Sequence, residues 1–214
     1  MLFLPLASIF LFGLILRRAI KKNNAAYEKI KSDFWDRERE ADRAPAASIF
    51  ELAFIEFPEE LPLDMPIEDT AGRECQDTLK RLSDKQILNL TGLSNTDLKL
   101  KYGAANLEDL SRADENFTVL SRMLPRLAKS YMSEGFVDEA LKLLLFGVEC
   151  LCDSREIWEL LGEHYLEKED RAALEDLCGK ARELPESASK NYIIKKMDEY
   201  LALLDAVSGG GAYE

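Results

Sequence analysis

Glu163, His164 and Tyr165 form the one run in this chain where a carboxylate, an imidazole and a phenol stand side by side. Successive residues of a helix point about 100° apart, so a Tyr165 on the apolar face turns His164, the single histidine, to a helix edge. No dyad follows from that arrangement. The thiols Cys75, Cys150, Cys152 and Cys178 have neither the close pairing nor the histidine partners of a zinc site, and they lie in apolar segments. They read as reduced thiols acting as small buried hydrophobes. The paired acids Glu59-Glu60 and the run from Glu167 to Asp170 read as loop and turn solvation. Phosphate-loop, dinucleotide-fingerprint, zinc-protease and nucleophile-elbow signatures are absent from the sequence. The chain is therefore read as a non-enzyme, with no catalytic, cofactor-binding or metal-ligating residue assigned.

Charge separates the chain into two parts. Across 214 residues the formal charge is -12 and 47% of residues are hydrophobic, which fits one ordinary domain with appendages. From Met1 to Lys31 six basic residues stand against one acid, while the remainder carries 22 basic and 39 acidic residues. So acidic a remainder repels phosphate backbones, and no nucleic-acid partner is expected.

Residues 1–22 hold an apolar run ending in Arg17, Arg18, Lys21 and Lys22, read as a transmembrane anchor with a basic flank. Positive charge on the cytoplasmic side predicts a single-pass protein of the cell membrane, N-terminus out, with its C-terminal domain cytoplasmic. Reduced thiols agree with that compartment. Residues 23–44 read as a juxtamembrane helix with an apolar stripe at Tyr27, Ile30 and Phe34-Trp35. Residues 45–74 read as a Pro-rich acidic linker, because Pro58, Pro62 and Pro66 forbid a regular helix. Its other reading is a short recognition segment lying along the repeat surface.

The helical domain is placed at residues 75–206. Ser83-Asp-Lys-Gln86 has the form of a capping box ahead of Ile87–Leu90, and Ser94-Asn-Thr-Asp97 that of a second helix start. Ser111 or Asp114 opens a long segment through Met132, with a kink or restart at Pro125. Two successive units of about 34 residues, 121–154 and 155–188, then align on each other, followed by a capping helix at 189–206 and a flexible tail at 207–214.

In the second unit Trp158, Leu161, Gly162 and Tyr165 fall in a W-x2-L-G-x2-Y pattern, followed by Leu174, Cys178 and Ala181 and by Pro185. The first unit offers Leu124, Leu127, Ala128 and Tyr131, then Ala140, Leu144 and Gly147. This pattern resembles the tetratricopeptide repeat and covers about a third of the chain. Leu124 stands where the family prefers Trp, and Leu174 where it prefers Ala. The resemblance implies an all-α fold: a short stack of helical hairpins, about two repeats plus a capping helix, here joined to the N-terminal transmembrane helix.

It also implies a concave binding face lined by the first helix of each unit. That helix presents Arg122, Pro125, Lys129 and Met132 in the first unit, and Glu156, Glu159, Glu163 and Leu166 in the second. Three glutamates favour a basic or amphipathic partner. The expected function is a membrane-anchored adaptor that binds a protein or peptide, either basic or belonging to another membrane protein. The alternatives are an extracytoplasmic envelope-associated structural protein, or a scaffold that self-assembles through Tyr192–Leu204 into a homo-oligomer.

Overall fold

The computed structural model describes residues 3–50 and 52–209, with side chains placed for Phe12 and for residues 16–50 and 52–206. Among the described residues the regular structure is helical throughout: α1 (Phe3–Arg43), α2 (Thr70–Ser83), α3 (Asn95–Tyr102), α4 (Leu107–Ser133), α5 (Val137–Glu149), α6 (Arg155–Glu167), α7 (Arg171–Glu183) and α8 (Lys190–Gly209). These divide into two units. One joins α1 and the chain through Ile49 to Ser94–Leu107; the other comprises Phe50–Leu93 and the chain from Glu108 onward.

In the first unit α1 is a single helix of 41 residues that runs without a break through the expected boundary at residue 22. Among the described residues no helix is long and apolar enough to cross a membrane. That finding overturns the transmembrane helix, and with it the single-pass, N-out cell-membrane placement; Met1 and Leu2 lie outside the described residues. The physical reason is length. The apolar stretch from Phe3 to Leu16 rises about 21 Å as a helix, short of the ~30 Å hydrocarbon core. Arg17, Arg18, Lys21 and Lys22 then follow in the same helix, all exposed.

The C-terminal end of α1 pairs with α3. Ser94 and Asp97 form a reciprocal capping box at the start of α3, as their spacing predicts. Arg37 reaches Asp97 at 2.6 Å, and Lys99 bridges Asp42 at 2.8 Å and Glu38 at 3.3 Å. Ala41 is buried beneath them. Gly103, at φ 85°, lets residues 45–46 cross close by, where a Cβ would sit 2.6 Å from the Ala46 Cα.

The second unit holds the main core, whose largest fully buried side chains include Trp158, Tyr131, Leu124, Leu127, Leu143 and Leu161. Its hairpin turns close alike. The N–H groups of Phe136, Cys152 and Asp170 each return 2.9 Å to the carbonyls of Tyr131, Gly147 and Tyr165. The residue before each donor, Gly135, Leu151 or Glu169, takes a positive φ, the geometry that ends a helix by satisfying its last carbonyls. Helix α4 passes through Pro125 without interruption, so neither a restart there nor a start at Ser111 or Asp114 is present.

Two segments differ from their sequence reading. Ser83 ends α2 and donates to the Lys80 carbonyl at 2.8 Å instead of capping a helix. Ile87, Leu88 and Leu90 are buried in non-helical chain, where the Ile87 carbonyl accepts from the Ile55 N–H at 2.9 Å and the Leu90 N–H donates to Asp114 at 3.1 Å. The acidic proline segment is docked rather than left as a linker. Along it Ile55, Phe57, Leu61, Leu63, Met65 and Ile67 turn inward onto the core, the two-residue alternation of an extended chain. Prolines exclude a helix there, but they do not prevent alternate side chains from burying.

Candidate binding face

Each residue of the expected repeat stripe can be placed. Leu124, Leu127, Ala128, Tyr131, Ala140, Trp158, Leu161 and Ala181 have no exposed surface, and Gly162 is buried. Tyr165 is half-buried against the same core. Trp158 anchors the α5–α6 turn by donating to the Cys152 carbonyl at 2.8 Å. The small residue of the motif makes room for a neighbouring helix. A Cβ on Gly162 would meet the Tyr200 ring at 2.5 Å, so this glycine admits α8 onto α6. Gly147 plays the corresponding role for α6, with Ile157 at 2.8 Å.

The expected binding residues do not act as one set. Met132 and Leu166 pack against the core and are half-buried. Arg122 lies in a separate cleft of about 320 Å³ with Asp114, Asp153 and Ser154. The three glutamates of α6 are each engaged by a neighbouring helix. Glu156 pairs with Lys129 of α4, Glu159 accepts from the Tyr192 hydroxyl of α8 at 2.6 Å, and Glu163 accepts from Tyr200 at 3.2 Å. Arg155 stacks over the Tyr192 ring at 4.4 Å. These carboxylates thus tie α4, α6 and α8 into one face. The hydrogen bond that Tyr192 donates to Glu159 raises the Tyr192 pKa; burial, then the Glu163 charge, raises that of Tyr200.

Beside Lys129 the face opens into a cleft of about 540 Å³ between α2 and α4. Cys75 and Met123 supply its apolar lining, Arg126 and Lys129 its positive edge, and Glu74 and Ser130 further polar groups. Arg126 is exposed and makes no ion pair among the described residues. Sequence spacing pointed to Arg122 instead, because it treats α4 as packed against one neighbour. The signal for α2 as a second neighbour was its apolar spacing at Cys75, Leu79 and Leu82, all buried. Burial raises the Cys75 pKa, opposed by the nearby Arg126 charge.

The docked segment closes the other side of α4. Tyr131 donates to the Pro62 carbonyl at 2.5 Å, and Gln76 donates to Tyr131 and to the Met65 carbonyl, both at 2.8 Å. Asp69 caps α2 through the Gly72 N–H at 3.0 Å and accepts from Ser130 at 2.5 Å. The Ser130 bond is the first cause of its depressed pKa. Glu134 accepts from the Glu68 and Asp69 N–H groups at 2.9 and 2.8 Å.

Burial pushes the Cys150 thiol up to about 12 and raises that of Cys152 too, which keeps both unreactive. Among the described residues no group of three or more His, Cys, Asp or Glu side chains could hold a metal ion. His164 and Tyr165 meet edge to face at 5.8 Å between ring centres. The chain matches no protein-family model, no curated protein and no solved structure.

Proposed function

We propose that the second unit is a protein-binding adaptor of the tetratricopeptide-like kind, taking a peptide across the face made by α2, α4, α6 and α8. The observation that carries this reading is the α2–α4 cleft, with its apolar lining of Cys75 and Met123 and its positive edge at Arg126 and Lys129. A segment with an apolar side chain next to a carboxylate fits it: the side chain fills the cleft and the carboxylate meets Arg126. The expectation of a basic partner gives way to this one because Glu156, Glu159 and Glu163 already hold neighbouring helices.

A photo-crosslinker placed at Thr78, which lines this cleft, tests the reading in the full chain. Capture of a defined partner is expected to be lost in the Arg126→Glu variant while thermal unfolding stays near that of the parent. Equal capture by that variant, or by a crosslinker moved to the exposed Lys142, would reject it.

A further inference from the structure

Along α1 an apolar seam is left bare. Phe12, Leu16, Ile20, Tyr27, Ile30 and Phe34 are between 47% and 69% exposed. At about 100° per residue all six fall within an arc of roughly 80°. From Leu16 onward they alternate steps of four and three with Asn23 filling the one gap, so Ile20, Tyr27 and Phe34 occupy one heptad position and Leu16, Asn23 and Ile30 the other. A seam with a 3.5-residue period is matched by another helix of the same period, since mutual supercoiling keeps both seams in contact. Among the charges, Arg18, Lys21, Lys22, Glu28 and Lys29 lie on the opposite side of the helix, while Arg17, Lys31 and Asp33 flank the seam.

The same face already serves as a helix-binding surface farther along. Ala41 is buried on it, and Arg37, Glu38 and Asp42 grip α3 there. The bare seam is the continuation of that interface toward the N-terminus, ending at Phe34 where α3 takes over. The five apolar side chains from Leu16 to Phe34, at about 100 Å² each, would bury roughly 1,000 Å² in a pair, the threshold of a specific interface. Asn23 indicates which helix fits. A lone amide inside an apolar seam needs a polar partner, and an in-register pair of identical helices supplies it by placing the two Asn23 side chains together.

We infer that α1 is a self-association element, in which the seam from Leu16 to Phe34 pairs in parallel and in register with the same seam of a second copy. This is independent of the adaptor reading, which concerns the other unit. Sedimentation equilibrium of the full chain without detergent is expected to show a concentration-dependent dimer. Ile30→Asp should weaken that association by more than about tenfold, while Ser32→Asp, on the outer side, should not. Asn23→Ile should tighten association and admit larger oligomers. Mild oxidation should link Ile30→Cys chains into disulfide dimers and leave Ser32→Cys chains unlinked. A monomer at every concentration would overturn the inference, as would a dimer indifferent to Ile30→Asp. So would a monomer that instead cosediments with phosphatidylglycerol vesicles through the same seam, since lipid would then be what covers it.

Discussion

Helices α1 and α8 carry the same kind of apolar stripe and end in opposite situations. On α8, Ile193, Met197, Tyr200 and Leu204 are at most 4% exposed, because α6 and α7 lie beneath them. On α1, Tyr27, Ile30 and Phe34 remain more than half exposed. The difference teaches that a helical stripe specifies a partner helix without specifying where that partner comes from. In α8 the partners are supplied a short loop away. The α1 seam has α3 at one end and no covering helix over the rest among the described residues. Within the Tyr192–Leu204 surface expected for self-assembly, Ile193, Met197, Tyr200 and Leu204 are thus taken up inside the chain, while Tyr192 and Leu203 stay exposed.

The comparison breaks first on truncation. Met197→Ala should destabilise the second unit by about 2–5 kcal/mol in urea unfolding, the usual range for a buried large-to-small change. Ile30→Ala should move it by no more than about 0.5 kcal/mol. Equal effects would mean that the α1 seam is covered within the chain after all. Next in size, Gly162→Ala forces a methyl group into the Tyr200 ring and should cost about 1–3 kcal/mol. Amide exchange should show α8 loosening before α4 and α5.

The smallest effect sharpens the comparison by pH. Tyr192 and Tyr200 are raised above their ordinary value of 10.0, and both face carboxylates. A raised folded-state pKa favours the protonated phenol, so its contribution is complete below about pH 10 and is lost as the pH climbs through the folded value. Alkaline titration should therefore release α8 from α6. The Glu159→Gln/Glu163→Gln variant should show less of this alkaline release, because neutral amides do not repel phenolate. Identical alkaline transitions in parent and variant would show that the carboxylates do not govern it.

Much of the second unit was legible because helix periodicity and motif spacing are local. Trp158, Leu161, Gly162 and Tyr165 mark α6, and the polar breaks mark its turns. The capping box at Ser94 was legible for the same reason, since all of its atoms come from four successive residues. The similar pattern at Ser83 misled, because Ile87 and Leu90 gain more from extended pairing with Ile55 and Asp114 than from a helical turn. The candidate site was less legible. Arg126 rather than Arg122 edges the cleft because α2 packs against α4, and no spacing within α4 encodes that neighbour. Likewise the α6 glutamates read as a free acidic surface until Lys129, Tyr192 and Tyr200 are placed beside them.

The sequence by itself determined most of the helical segments of the second unit, where most of them turn, and which face of each is apolar, since these follow from backbone sterics and a 3.6-residue period. Its apolar run with a basic flank suggested an anchor, which the described helix α1 is not apolar enough over its length to provide. Only the tertiary structure decided which apolar face is covered and which carboxylate is spoken for. It alone laid the proline segment against α4. Those outcomes depend on residues far apart in the chain meeting within hydrogen-bond and van der Waals range, a condition that no local pattern contains.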